Sequence, residues 1–264
     1  MTIITLMTDF GLKDGNVGVM KGIIAGIAPQ AQIIDLSHLI SPQNAPEAAL
    51  ILLRSAPYFP AGTIHTVVVD PGVGTKRRPM VARLGDQYFV GPDNGIITML
   101  LDRLEAQGQS WAGYDLDRPQ YWLSQVSHVF HGRDIFAPAA AHLAAGITLE
   151  ELGTPFSDPV RLPLPQPERS PTGWRGEVIH IDHFGNVASN IRIENMQKDE
   201  KATVSLCGVD IQGMVDTFGE RPDGALVALF GSTGNLIVSV VNGDAAQRLS
   251  VKIGDEVKVT LPDR

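Results

Sequence analysis

The stretch Ile64-His65-Thr66-Val67-Val68-Val69-Asp70-Pro71-Gly72-Val73-Gly74 decides the fold. Its first six residues are rich in β-branched side chains and run without a break, as expected of a strand covered on both faces. It stops at an acid followed by proline and glycine, residues that turn a chain sharply. Toward the N-terminus, Ile3 to Thr8 reads as a second buried strand and Val17 to Ile27 as a helix stopped by Pro29. Gln32 to Leu36 is a further strand, and Pro46 stands where a first-turn proline is tolerated, opening a helix through Ala56. Toward the C-terminus, Met80 to Leu84 and Gln87 to Val90 flank Gly85-Asp86, a hairpin signal, and helices are expected over Ile96 to Leu104 and Arg133 to Ala145. Such alternation of strand and helix implies a mostly parallel sheet with helices on both faces.

After residue 154 the texture changes. Six prolines fall between Pro155 and Pro171, with no amphipathic period, which marks a linker. Beyond it come short β-rich runs: Glu177 to Ile181, Thr203 to Leu206, Leu226 to Leu229, Leu236 to Val241 and Glu256 to Leu261. Glycine and aspartate punctuate them, so this half reads as a small β-barrel or sandwich. The expected organisation is α/β: an N-terminal, mostly parallel α/β sandwich domain over 1–158, a proline-rich linker over 159–172 and a smaller C-terminal β domain over 173–264. A length of 264 residues accommodates two such domains.

A formal charge of −8 argues against a nucleic-acid partner, which normally meets a clustered basic surface. The one concentrated basic run, Lys76-Arg77-Arg78, follows a glycine-rich turn. The single cysteine, Cys207, lies in an apolar stretch and reads as a buried core thiol. No segment approaches the ~18 consecutive apolar residues of a membrane span. The N-terminus has no signal-peptide pattern, so a cytoplasmic location is expected.

In open α/β sheets, ligands collect at the carboxyl ends of strands. Three such ends carry an acid with turn-forming glycine or proline: Thr8-Asp9-Phe10-Gly11 with Asp14 close behind, Asp70 to Gly74, and Pro92-Asp93-Asn94-Gly95. Taken singly each is ordinary turn chemistry, but together they would converge on one crevice. Phe130-His131-Gly132-Arg133-Asp134 opens the last helix of the first half; Gly132 leaves room beside His131, and a helix N-terminus favours anions. His128 and His131 lack a carboxylate partner at metal-ligand spacing, so no metal is expected. In the second half, Asp182-His183-Phe184-Gly185-Asn186 offers a ring for stacking between an acid and an amide, a plausible nucleoside cradle. Ser232-Thr233-Gly234-Asn235 and Asn242-Gly243 are further polar turns.

The ordered set TDFG (8–11), DPGVG (70–74), PDNG (92–95), FHGRD (130–134) and DHFGN (182–186) resembles the S-adenosylmethionine hydrolase family, which is related to the fluorinase and chlorinase enzymes. The resemblance spans essentially the whole chain. It implies an N-terminal α/β domain followed by a C-terminal β-barrel. It also implies a homotrimer, with S-adenosylmethionine held between one subunit's N-terminal domain and a neighbour's C-terminal domain. By that resemblance Asp9 and Asp14 lie near the ribose hydroxyls, with Phe10 and Asn94 of the neighbouring motifs in the substrate-binding set. Asp182 and Ser232 face the methionine ammonium, and Phe184, Asn186, Asn242 and Gly243 surround adenine. The catalytic set maps onto Asp70, Arg77 and His131, with spacing choosing Arg77 over Arg78.

The resemblance further implies hydrolysis at the ribose 5′ carbon to adenosine and L-methionine, with S-adenosylmethionine as substrate and no cofactor. The halogenases carry tyrosine where Asp70 stands, the fluorinase has serine at the position of Gly132, and an inserted fluorinase loop near residue 85 is missing here. Gln43 replaces a fluorinase tryptophan, and Asn235 stands where an aromatic is common. Three other readings compete: halide-dependent cleavage of S-adenosylmethionine, an S-adenosylmethionine or adenosine binding protein without turnover, and a generic phosphate-binding α/β protein. The last lacks the lysine and Ser/Thr of a Walker loop.

Overall fold

The first unit begins with β1 (Ile3–Thr8), α1 (Asn16–Ile27), β2 (Gln32–Ser37), α2 (Ala45–Ser55) and β3 (Ile64–Val68), two successive strand–helix–strand crossovers. These elements belong to a computed structural model that describes residues 1–262 and divides into two compact units between Leu162 and Pro163. Next come β4 (Pro79–Leu84), β5 (Gln87–Pro92), α3 (Thr98–Ala106) and β6 (Trp111–Asp115). A π-helical turn (Gly132–Phe136) leads into α4 (Ala137–Ala144), α5 (Leu149–Leu152) and β7 (Thr154–Phe156).

The sheet order is β2-β1-β3-β5-β4-β6-β7. Strands β2, β1, β3 and β5 run parallel, while β4, β6 and β7 add an antiparallel flank through the β4–β5 hairpin. All five residues of β3 are buried, because both faces of the sheet are covered. Alternate side chains serve opposite layers, as the period of two requires. Ile4, Leu6 and Val68 meet Met20 and Ile24 of α1 and Ala140 of α4. Met7, Val67 and Val69 join Ala48 and Leu52 of α2 and Leu101 of α3 on the other side. Phe136 and Phe89, fully buried in the two layers, each stabilise the sandwich by on the order of 2–3 kcal/mol.

Local signals account for the helix ends. Asn44 accepts the Glu47 N–H at 3.0 Å, Pro46 occupies the first turn of α2, and Arg54 lies in its last turn, where a cation suits the helix dipole. The expected single helix over 133–145 is broken by the π turn, whose extra residue changes the direction of the side chains ahead of α4.

In the second unit, β8 (Glu168–Ser170), β9 (Gly173–Ile181), β10 (Val187–Arg192), β11 (Thr203–Leu206), β12 (Val209–Gln212), β13 (Leu226–Phe230), β14 (Asn235–Val240) and β15 (Glu256–Thr260) form one antiparallel sheet. A short helix, α6 (Ala245–Leu249), precedes β15. The order β12-β11-β15-β9-β10-β14-β13 curls on itself, and a bridge between Met214 and Ala228 brings its two ends together into a barrel. Val178, Val187, Ile191, Val204, Val238 and Val257 fill its interior. Within the segment expected as a linker, the Val160 N–H donates to Asp93 and Glu168–Ser170 pairs with β9.

Cys207 corrects an expectation: it is exposed, not a core thiol. Cys207 and Gly208 are the two turn residues between β11 and β12, with φ of +50° and +78°. In this two-residue hairpin turn, beyond the paired strands, the Cys207 side chain stays at the surface. The apolar residues around Cys207 belong to the strands on either side. Among the described residues, no helix is long and apolar enough to cross a membrane.

Candidate active site

The parallel strands β1, β2, β3 and β5 bring four carboxyl ends to one edge of the sheet, so Asp9, His38, Asp70 and Asn94 follow adjacent strands. The chain leaves β1 to one side for β2 and returns on the other for β3, which opens a crevice between neighbouring crossovers. A cleft lies there, lined by Asp9, Phe10, Gln43, Asp70, His131 and Gly132, with Val68, Val73 and Val129 supplying apolar wall.

The segment after β3 folds back on itself. The Val73 N–H donates to the Asp70 carbonyl and the Thr75 hydroxyl to the Gly72 carbonyl, and Thr75 Oγ1 accepts the Arg77 N–H. This returns Arg77 onto Asp70. Arg77 Nε donates to Asp70 Oδ1 at 3.0 Å and Nη2 to Oδ2 at 2.5 Å, a bidentate pair with side chains only 7% and 5% exposed. Gly74 has φ +75°, and a Cβ on it would stand 2.3 Å from the His128 carbonyl oxygen, so only glycine lets this turn press against the segment carrying His131.

Arg77 Nη2 also lies 3.1 Å from His131 Nδ1. A guanidinium has no acceptor and stays protonated, so Nδ1 must offer its lone pair and the ring proton sits on Nε2. Burial, followed by the adjacent Arg77 charge, pushes the His131 pKa below its ordinary value and keeps the ring neutral. Behind the set, the Arg77 guanidinium lies 5.3 Å from the centroid of the Phe136 ring. Arg78 points elsewhere, because neighbouring residues entering a strand face opposite ways. It donates to Asp158 at 2.8 Å and lies 4.0 Å over the Phe156 ring. The structure therefore joins Arg77, not Arg78, to Asp70 and His131.

The remaining first-unit residues separate into three kinds. Asp9 and Phe10 line the cleft, with Asp9 Oδ2 accepting the Gln43 N–H at 2.8 Å and Phe10 edge-on to Phe130. Asn94 is a brace: its Nδ2 donates to the Val69 carbonyl at 2.8 Å, holding the strand end that precedes Asp70. Asp14 is exposed ahead of α1 and is not part of the cleft lining. Gly132 does not leave open room beside His131: a Cβ there would meet Val68, Met20 and Phe10 at 3.1–3.4 Å, so the glycine serves close packing.

In the second unit, Asp182 organises its own loop. Its Oδ1 accepts the Phe184 and Asn186 N–H groups at 2.9 Å, and its Oδ2 accepts Asn186 Nδ2 at 2.8 Å. The loop leaves the Phe184 ring 74% exposed. The Gly185 carbonyl accepts the Ala246 N–H, which brings the Asn242-Gly243 turn to the same end of the barrel. Asn242 itself donates to Asp223 at 2.8 Å. Ser232 is exposed in the β13–β14 turn, at the opposite end of β14, roughly 17 Å away for a six-residue strand. Asp182, Phe184, Asn186, Asn242 and Gly243 are thus brought together, and Ser232 is not. Among the described residues, no three His, Cys, Asp or Glu side chains gather as a metal-binding group.

Two further residues belong to the cleft's support: Thr8, the first residue of the TDFG motif, and His38, which the sequence does not single out; the Thr8 hydroxyl lies 2.9 Å from His38 Nδ1. The one signal for His38 is position, since it falls at the carboxyl end of a parallel strand.

A doubly wound α/β unit with a buried Asp–Arg pair joined to a histidine at the carboxyl-end edge of its sheet, and a β-barrel unit presenting an exposed aromatic loop, define a two-domain enzyme class. Residues 4–153 match the SAM hydroxide adenosyltransferase N-terminal domain and residues 176–258 the corresponding C-terminal domain. The chain belongs to this family. It is 40% identical to a Salinispora tropica protein named (R)-S-adenosyl-L-methionine hydrolase, over 97% of both chains. A Nocardia brasiliensis protein named fluorinase is more distant, at 27% over 98% of this chain and 97% of its own. Among solved structures, an uncharacterized conserved protein from Thermotoga maritima superposes with a TM-score of 0.88 at 38% identity, covering 97% of this chain and 99% of its own.

Proposed function

We propose that this chain hydrolyses S-adenosyl-L-methionine at the ribose 5′ carbon, with water as nucleophile, giving adenosine and L-methionine. The observation that carries the reading is the set formed by the buried Asp70–Arg77 pair and the half-buried His131, with Asp70 and His131 lining a cleft together with Asp9 and Phe10. Full-length relatives named (R)-S-adenosyl-L-methionine hydrolase support it.

The chemistry fits these groups. A sulfonium leaves as a neutral thioether and needs no proton, so no cofactor or general acid is required. The difficulty lies in the nucleophile. As the water oxygen bonds to carbon it becomes an oxonium, whose protons are strongly acidic. A carboxylate accepting one of those O–H groups stabilises the charge where it develops. It can then take the proton late, without being unusually basic. Each Asp70 oxygen keeps a lone pair beyond the one committed to Arg77. Arg77 fixes the carboxylate's orientation, and His131, accepting from Arg77, fixes the guanidinium in turn. Holding the nucleophile in line can contribute several kcal/mol, about 7 in favourable intramolecular cases. Halide-dependent cleavage is disfavoured by the same carboxylate, which repels an anion at the nucleophile's position.

Asp9 and Asp14 are assigned to the ribose hydroxyls, Asp182 to the methionine ammonium, and Phe184, Asn186, Asn242 and Gly243 to adenine. In this reading the barrel residues come from a neighbouring subunit of a cytoplasmic homotrimer. Support comes from the exposed Phe184 ring and from Leu12, Leu39 and Val129, apolar side chains exposed beside cleft-forming segments. The test is product analysis with S-adenosylmethionine in the presence and absence of chloride. Adenosine formed equally in both is the expected result; 5′-chloroadenosine, or substrate retained without product, contradicts it.

A further inference from the structure

The loop carrying Asp9 and Phe10 is held from behind by one residue of the neighbouring strand, and we infer that His38 is a positioning residue for substrate binding. This rests on the function proposed above. His38 stands just beyond β2, 5% exposed, and grips the end of β1 in two ways. Its backbone carbonyl accepts the Gly11 N–H at 2.8 Å. Its Nδ1 lies 2.9 Å from the hydroxyl of Thr8, which is itself fully buried. Thr8 Oγ1 also accepts the Phe10 N–H at 3.2 Å; because the other ring nitrogen, Nε2, faces the acceptor-only carboxylate of Asp35, the ring proton is placed on Nε2 and Nδ1 accepts the Thr8 hydroxyl.

On the far side, His38 Nε2 stands 3.1 Å from Asp35 Oδ1, off the straight line of a good hydrogen bond, and Asp35 Oδ2 accepts Lys21 Nζ at 2.6 Å. The ring is therefore held between a carboxylate on β2 and the hydroxyl at the end of β1. Its orientation passes through Thr8 to the backbone of Phe10. Asp9, between the two, has its carboxylate fixed from the front by the Gln43 N–H. None of Thr8, His38 or Asp35 lines the cleft, so the residue acts through Asp9 and Phe10 and not on the reacting atoms.

A histidine that only filled the core would affect folding alone. A positioning residue separates KM from kcat, because Asp9 and Phe10 bind substrate while Asp70, Arg77 and His131 lie on other elements. The experiment measures KM, kcat and thermal midpoint for wild type, His38→Ala, Thr8→Val and the double variant with S-adenosylmethionine. Each single variant should raise KM about fivefold, the worth of roughly one buried hydrogen bond, with kcat within about twofold. The double variant should be no worse than either single one, because both cut the same connection. Asp35→Ala, a change at a side chain 40% exposed, supplies a smaller KM rise and serves if His38→Ala does not fold. Variants with an unchanged KM beside an active wild type overturn the inference alone, as do KM effects that multiply in the double variant. A wild type that neither binds nor cleaves S-adenosylmethionine overturns the proposed function and this inference together.

Discussion

Replacing Arg77 with lysine keeps the positive charge and removes the geometry. Arg77 makes three polar contacts: Nε to Asp70 Oδ1 at 3.0 Å, Nη2 to Asp70 Oδ2 at 2.5 Å, and Nη2 to His131 Nδ1 at 3.1 Å. A single ammonium on a different stem can satisfy one of them, so two are lost. Hydrogen bonds to charged groups are worth about 1.5 kcal/mol each at the low end, which makes a loss of roughly 3 kcal/mol. At about 1.4 kcal/mol per tenfold, kcat/KM should fall on the order of a hundredfold. Arg78→Lys is the matched control, since Arg78 serves Asp158 and the Phe156 ring instead. Its kcat/KM should stay within about threefold, although the midpoint of thermal unfolding should drop as the half-exposed contacts weaken. The assay is initial-rate formation of adenosine, with circular dichroism to establish that both variants are folded. Equal losses in the two variants, or an Arg77→Lys enzyme within threefold of wild type, would refute the reasoning that the bidentate pair orients the nucleophile.

Three further outcomes follow from the same structure. His131 works neutral and its pKa is lowered by burial and by Arg77, so the acid limb of kcat/KM should lie at lower pH than an ordinary imidazole would give; His131→Asn, which keeps an acceptor but cannot titrate there, should lose that acid limb in a pH–rate profile. His65 is buried against Thr5 and Gln87, and burial pushes its pKa down to about 4. The unfolded state then binds the extra proton first, so stability is unaffected above pH 6.5 and declines as pH falls toward 4, by about 3 kcal/mol in all. Urea denaturation of wild type and His65→Gln at pH 7.5 and 5 should show a smaller pH dependence in the variant. Gly74→Ala places a Cβ 2.3 Å from the His128 carbonyl oxygen at a φ of +75°, and should lower both the thermal midpoint and kcat by displacing the chain that leads to His131. An alanine variant with wild-type kcat would show that this contact does not position the histidine.

Much of the scaffold is written in local pattern. The uninterrupted β-branched run at Ile64–Val68 reads as a doubly covered strand and Gly85-Asp86 between two apolar runs as a hairpin, and both are found. Where polar residues are buried, pattern fails. Strand β10 was not foreseen because it carries Ser189 and Asn190, whose side chains are satisfied by the carbonyls of Leu236 and Pro165, partners far away in sequence. Cys207 was misplaced because its apolar neighbours suggested a core, whereas the adjacent Gly208 marked a turn. The Asp70–Arg77 pairing is implied by family resemblance and not by local pattern; its cause, the Thr75-capped turn that folds Arg77 back, is a matter of three-dimensional hydrogen bonding. His38 had no sequence signal beyond its place after β2, since its role exists only through the register of β1 beside β2. Ser232, grouped with Asp182 by resemblance, is separated from it within the barrel by the length of β14.

The central claim is that water attacks the 5′ carbon at the Asp70 site. It is tested most directly by running the reaction with S-adenosylmethionine in oxygen-18 water and analysing the nucleoside by mass spectrometry. The account predicts adenosine carrying one heavy oxygen at its 5′ position, in equal amount with and without chloride, and loss of that product in Asp70→Asn. Adenosine without the label, a halogenated nucleoside, or undiminished turnover by a folded Asp70→Asn enzyme would contradict it.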